Sequence, residues 1–161
     1  MTGSTIPPIA KAELARIRAE ATDFANIGLF RYRFDGTIVF FDPGALRLLD
    51  LEGRFPDPSA IVGLNIGDLL EYLDPPGRLR EAVRKHGKVR NFEYRYRTVR
   101  GRVRWVYHNS YLITDPTTGE QQIQVVAQDI TLLKETARAL KASERRYRVL
   151  AEQLPQGIGV L

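Results

Sequence analysis

The chain contains no cysteine. Disulfides, thiolate nucleophiles, zinc–sulfur centres and cysteinyl adducts of a flavin are therefore excluded. Histidine is scarce too: His86 and His108 are the only two, poor material for a multi-ligand metal site, so no metal is expected. No apolar run approaches the roughly 18 residues of a membrane span. Met1 to Pro8 lacks a basic segment followed by an apolar one, so no secretory signal is read there. A cytoplasmic location, without membrane contact from this stretch, is the expectation, although a longer parent chain could be membrane-anchored. Also missing are a nucleophile–base pair, a phosphate-cradling glycine loop and a metal cluster, so no enzymatic activity is expected of these residues. Asp68, Glu71 and Asp74 fall within a turn or two of one another but read as a solvated helix face and cap.

What is present is ordinary globular material. The 161 residues are 43% hydrophobic and 27% charged, room for one domain with flanking elements. The net charge of +5 gives a weak pull toward anionic partners, and solubility explains it more simply. In Tyr94-Arg95-Tyr96-Arg97 cations alternate with aromatics, a pattern that could serve single-stranded nucleic acid. The same pattern suits a strand with one buried and one solvated face, and no nucleic-acid partner is expected.

The hydrophobic period changes along the chain. From Pro7 it predicts a helix, with Ala10, Leu14, Ile17, Ala21 and Phe24 on one stripe. Phe30, Tyr32 and Phe34 then alternate with Arg31 and Arg33 as a strand, Asp35-Gly36 makes a hairpin turn, and Thr37 to Phe41 returns. Asp42-Pro43 reads as an N-cap followed by a first-turn proline, opening a short helix. A loop over Gly53 to Ser59 precedes a second short helix, Ile66 to Leu73. Asp74-Pro75 is expected to cap a third helix that ends at Gly87. Three strands follow, through Phe92, Tyr94 and Tyr96, then Val103 to about Ile113, then Ile123 to Ala127. Strands at both ends around helices imply an α+β fold with one antiparallel sheet.

From Thr131 the period is helical again. Leu133, Leu140, Tyr147 and Leu154 are spaced by seven, whereas the companion column holds Thr136, Ser143 and Leu150. One good seam and one poor one describe a marginal coiled coil, whose alternative registers lie close in energy. Ile158-Gly159-Val160-Leu161 repeats the pattern of Ile27-Gly28-Leu29-Phe30, and both follow a helix. The expected organisation is a flanking helix over 1–26, a domain over 27–131, an output helix over 132–154 and the start of a second copy over 155–161.

Several phrases, in this order, resemble a PAS domain: Gly28 to Gly36, Val39 to Ala45, Arg104-Trp105-Val106 and Asp129-Ile130-Thr131. Ser143 to Arg148 resembles the linker that often precedes another such domain. The resemblance implies a five-stranded antiparallel sheet with short helices on one face, flanked by N- and C-terminal helices. It implies a signal-sensing and dimerising module that relays to a downstream output domain in the same chain. The first expectation for the parent is a two-component sensor histidine kinase; a cyclic-dinucleotide enzyme is the alternative, and a single-stranded nucleic-acid-binding module the alternative of another class. Asp42 stands where the family usually has asparagine, which puts a carried-over ligand contact there in question.

A sheet cupped by helices encloses a pocket open to a small-molecule ligand. Its candidate lining is Phe30, Tyr32, Phe40, Leu69, Leu70, Leu79, Val83, Phe92, Tyr94, Tyr107, Asn109 and Val125. No cofactor is specified. Haem is disfavoured because His86 sits about one turn too late on its helix to match the family's ligand, and cysteinyl-flavin is excluded. The resemblance implies that Asp129, in the exit motif, ties back to the turn between the third and fourth of the five expected strands. Arg100, Arg102 and Arg104 are available there, with Arg102 favoured, and Thr131 is expected to cap the output helix. A homodimer is expected through the flanking helices, using Leu14, Ile17, Ala21, Phe24, Leu133 and Leu140.

Overall fold

The computed structural model describes residues 5–154. Its elements are α1 (Lys11–Phe24), β1 (Ile27–Arg33), β2 (Ile38–Phe41), α2 (Pro43–Leu48), β3 (Glu71–Tyr72), α3 (Gly77–His86), β4 (Lys88–Arg97), β5 (Val103–Thr114), β6 (Gln121–Asp129) and α4 (Thr131–Gln153). Two 3-10 turns, Pro58–Ile61 and Ile66–Asp68, lie between α2 and β3. The strands form one antiparallel sheet in the order β2-β1-β6-β5-β4-β3. This is the expected α+β fold, its five strands joined by a two-residue edge strand. The expected start of a second copy over 155–161 lies outside the described residues.

Local chemistry sets the turns. Gly36 takes φ +94°, a conformation open to glycine, and the Thr37 amide donates to Asp35 Oδ1 at 2.8 Å. Asp42 Oδ1 accepts from Ala45 N at 2.8 Å, capping α2, and from Leu29 N at 2.9 Å, tying α2 to β1. The seam between these two elements is backbone against backbone. A Cβ on Gly44 would stand 2.2 Å from the Ile27 carbonyl oxygen, and one on Gly28 would stand 2.8 Å from Ala45 Cα.

Three expectations need correction. α1 begins at Lys11, because Pro8 pushes Pro7 out of the helical region and the chain stays extended through Ala10. Ala10 therefore leaves the apolar stripe. The helix expected over Ile66 to Leu73 is a 3-10 turn, in which Asn65 Oδ1 accepts from Gly67 N at 2.9 Å, followed by β3. The edge of β4 offers unpaired backbone, and Glu71 and Tyr72 pair with it instead of continuing a helix. Asp74 does not cap α3. It accepts from Arg95 N at 2.7 Å and pairs with the Arg95 guanidinium at 3.0 Å, so α3 opens at Gly77 without a side-chain cap.

The core lies between one face of the sheet and α2, α3 and the loop joining α2 to β3. Val83, Val106, Ile123 and Val125 are fully enclosed; each such side chain contributes roughly 1.5–3 kcal/mol by leaving water. The outer helices differ. Neither α1 nor α4 buries a residue. Phe24 is 92% exposed and Leu140 61%.

Candidate functional site: a small cavity and its link to the last helix

The inward faces of the sheet meet α2 and α3 around a cavity of about 30 Å3. That volume holds about two water-sized groups, and a flavin or haem ring would require its walls to move. Phe30 and Tyr32 of β1, Tyr94 and Tyr96 of β4, His108 of β5 and Ala127 of β6 form the sheet side. Ala45, Leu48 and Leu49 close the α2 side; Ile66, Leu70, Tyr72, Pro76, Leu79 and Arg80 close the other. His108 stacks on Tyr94, with centroids 5.5 Å apart and planes at 15°, and meets the Phe30 ring edge-on at 5.9 Å.

The wall is polar in places and poorly solvated. Burial lowers the His108 pKa to about 4, so its imidazole is neutral near pH 7. Burial, and then the neighbouring phenols, push the Tyr32 and Tyr94 hydroxyls well above the ordinary tyrosine value. Burial also raises Tyr72 and Tyr96. Tyr96 donates to the Leu48 carbonyl at 3.2 Å. The Tyr94 hydroxyl and His108 Nδ1 have no hydrogen-bond partner among the described residues.

A charged network leaves this cavity at the end of α2. Asp50 follows the helix at φ +59°, a left-handed position that aspartate tolerates, and its side chain is only 3% exposed. Its carboxylate accepts from Thr98 Oγ1 at 2.6 Å, from Arg102 Nε at 2.9 Å and from Arg104 Nη2 at 3.2 Å. Burial disfavours the Asp50 anion, but the bonds from Arg102 and Thr98 and the charges of Arg104 and Arg102 outweigh it, holding the pKa below the ordinary value. Arg104 also pairs with Asp129 Oδ2 at 3.0 Å. Asp129 Oδ1 accepts from Thr131 N at 2.9 Å and from Thr131 Oγ1 at 2.5 Å. Thr131 Oγ1 in turn accepts from Trp105 N at 3.0 Å. A continuous path thus runs from Asp50, the residue after cavity-lining Leu49, to the first residue of α4.

Two relay details differ from expectation. Asp129 pairs with Arg104, not Arg102. Arg104 lies opposite Tyr96 on the inward face, between Asp50 and Asp129, whereas Arg102 sits in the turn before β5 and reaches only Asp50. The acceptor at the start of α4 comes from Asp129, while Thr131 is the first helical residue rather than its cap. Asp50 itself was not anticipated. Its sequence signal is a lone charge inside Leu48-Leu49-Asp50-Leu51.

Comparison with known proteins fits this architecture. The PAS domain family matches residues 28–132 of the 161. The chain belongs to the PAS domain family. Solved structures with the same fold include a sensory box histidine kinase/response regulator from Burkholderia thailandensis, at 19% identity and TM-score 0.55, covering 81% of this chain and 97% of that one. A PAS domain from Colwellia psychrerythraea matches at 19% identity and TM-score 0.52, covering 73% and 98%. A PAS domain from a two-component sensor histidine kinase matches at 17% identity and TM-score 0.51, covering 74% and 99%. No match was found among curated protein sequences.

Within this PAS domain the expected pocket residues divide into three groups. Phe30, Tyr32, Leu70, Leu79 and Tyr94 line the cavity. Leu69, Val83 and Val125 are buried behind the wall, and Phe92 packs beside Tyr94, ring centroids 5.7 Å apart. Phe40, Tyr107 and Asn109 require correction. Phe40 is 47% exposed on β2. Tyr107 and Asn109 are on the opposite face of β5 from Val106 and His108, and Asn109 Oδ1 accepts from Asn91 N at 2.9 Å beside a bulge in β4. Of the lining residues missed, His108, Tyr72, Tyr96 and Arg80 are the ones that carry polar groups.

The outward face of the PAS sheet is cationic and occupied by its own contacts. Arg95 pairs with Asp74 and Arg97 with Glu71, while Tyr94 and Tyr96 point into the core. The aromatic and cationic halves of the Tyr-Arg repeat are therefore on opposite faces. Trp105 is surrounded by Arg95, Lys134 and Arg138, at 5.1, 5.2 and 5.1 Å from its ring, and Lys134 pairs with Glu93 at 2.8 Å. These contacts hold the first turns of α4 on the sheet. Among the described residues no group of three or more His, Asp or Glu could hold a metal, and no helix is long and apolar enough to cross a membrane.

Proposed function

We propose that this PAS domain is a sensing and dimerising module that passes a conformational signal through α4 to an output domain, with a two-component sensor histidine kinase as the parent. The observation that carries the reading is the path Asp50–Arg104–Asp129–Thr131, which joins the residue after cavity-lining Leu49 to the start of α4. A shift of α2 moves Asp50, and Asp50 shares Arg104 with Asp129. The module itself performs no chemistry. The histidine-kinase parent is supported by two structures of the same fold, a sensory box histidine kinase/response regulator and a PAS domain from a two-component sensor histidine kinase. In the parent, Asp129→Ala is expected to uncouple output from signal while the domain stays folded; signal-dependent output equal to wild type would sink the relay.

Dimerisation rests on the exposed apolar side chains of the flanking helices. Leu14 and Ile17 of α1, and Leu133 and Leu140 of α4, are exposed in the single chain, as is Phe24, while Ala21 completes the α1 stripe. Pairing with a second copy would cover this surface. Native mass spectrometry of the chain is expected to show a dimer that Leu133→Glu with Leu140→Glu converts to monomer. A monomeric wild-type chain at high micromolar concentration would remove dimerisation by this fragment.

A further inference from the structure

We propose that the cavity is a binding site for a compact carboxylate, of the size of formate or acetate, with its charge held by Arg80. The inference deepens the sensing function proposed above and rests on it for its consequence, but not for its geometry. Besides Tyr96, whose hydroxyl is engaged by the Leu48 carbonyl, five elements bring a polar group to the cavity: Tyr32 from β1, Tyr72 from β3, Arg80 from α3, Tyr94 from β4 and His108 from β5. The Arg80 guanidinium lies over the Tyr32 ring, 5.6 Å from its centroid, and close enough to the Tyr32 and Tyr72 hydroxyls to influence both. Asp35, whose charge Arg80 also influences, is fully exposed and committed to the Thr37 amide. None of the ion pairs among the described residues includes Arg80.

The second observation is independent of that cation. Tyr94 is 2% exposed, yet its hydroxyl has no partner among the described residues, and neither does His108 Nδ1. An enclosed donor without an acceptor costs about 1–3 kcal/mol, and both atoms belong to cavity-lining residues. A carboxylate supplies what these groups lack. One or both oxygens accept from the guanidinium, which cannot lose its proton, and the phenols donate to the remaining lone pairs. The volume of about 30 Å3 limits the ligand to a few heavy atoms, and the apolar wall of Leu48, Leu79 and Ala127 accommodates a methyl group.

The test uses the full chain. Sodium acetate is titrated by NMR against sodium chloride at equal ionic strength, with acetamide as the neutral isostere. Saturable shifts are expected at Tyr32, Tyr94 and His108, with acetamide weaker by about tenfold or more. Arg80→Gln should weaken acetate by about tenfold, the loss of one charge-assisted contact. Arg80→Lys should fall between, because it keeps the charge without the planar fork. Tyr94→Phe should weaken it about threefold. Equal affinity for acetate and acetamide, no saturable shift, or an unaltered response in folded Arg80→Gln overturns the site. A nitroxide on Arg146→Cys, in a chain with no native cysteine, separates the two proposals by reporting on α4. Acetate bound with α4 unmoved leaves the site standing and removes the relay. No acetate binding, with α4 responding to Asp129→Ala, removes the site and leaves the relay.

Discussion

The two faces of β4 and β5 are built from residues that alternate along the same strands, and they do opposite things. Inward, Tyr94, Tyr96, Val106 and His108 lose water, and two of their polar atoms gain no partner. Outward, Arg95, Arg97 and Trp105 remain partly solvated, and each has contacts of its own. Adjacent residues on one strand thus differ in whether their polar groups are spare or engaged. Spare groups in an enclosed cavity are material for recognition, whereas engaged groups on a solvated face hold an element in place.

The sharpest break of this comparison is one charge moved across the strand. Val106→Asp places an unpaired carboxylate in the core and is expected to cost more than about 4 kcal/mol in urea unfolding. The neighbouring Tyr107→Gln, on the outward face, should cost less than about 1 kcal/mol. Next in size is the pH response of His108. Its folded pKa of about 4 lies below the ordinary 6.5, so between those values the unfolded chain binds more protons. Stability attributable to this residue is complete above pH 6.5 and falls as the pH drops toward 4, by up to about 3 kcal/mol. His108→Phe should flatten the urea midpoint across that interval. An unaltered slope would show the imidazole to be solvated in the folded state.

Asp129→Ala should cost about 2 kcal/mol, since it leaves half-buried Arg104 with Asp50 alone and removes the acceptor of Thr131 N. Amide exchange in the first turn of α4 should accelerate. Arg104→Ala should reproduce that local effect, and Arg102→Ala should not. Tyr94→Phe removes a spare hydroxyl and should raise ligand-free stability by up to about 1 kcal/mol, seen as a higher melting temperature. The smallest effect is expected from Lys134→Ala, about 0.5 kcal/mol. Trp105, the single tryptophan, should report it as a fluorescence change that an exposed α4 substitution such as Glu144→Ala does not produce.

Much of the fold was legible because its periods are clean. The β1 hairpin, the Asp42 cap and the end of α3 at Gly87 each follow from a residue type with one strong local preference. β5 was harder because aromatics occupy both of its faces. The expected pocket took Tyr107 and Asn109 inside, but pairing decides otherwise. Tyr94 lies opposite Val106 and Phe92 opposite His108, and opposed residues share a face. The parity of the β4–β5 turn would therefore have placed His108 in the cavity once Tyr94 was placed there. The 66–74 segment was illegible for a different reason. Asp74 and Pro75 satisfy the local rules for a helix start, and only the distant Arg95 claims the carboxylate. Asp50 is the same kind of case, since its partners at Thr98, Arg102 and Arg104 are about fifty residues away.

The seam at Gly28 and Gly44 makes the cavity mechanically lopsided. With the Ile27 carbonyl and the Ala45 backbone already within contact distance of where side chains would begin, α2 cannot slide along β1 without carrying the strand with it. Gly77 and Gly87, at the two ends of α3, have no neighbour within 4 Å of the corresponding point. The compliance of the chamber is therefore concentrated on one wall. Swelling displaces α3 outward while α2 transmits force with little travel, an asymmetry that pressure-dependent NMR should display as larger shifts at Val83 than at Ala45.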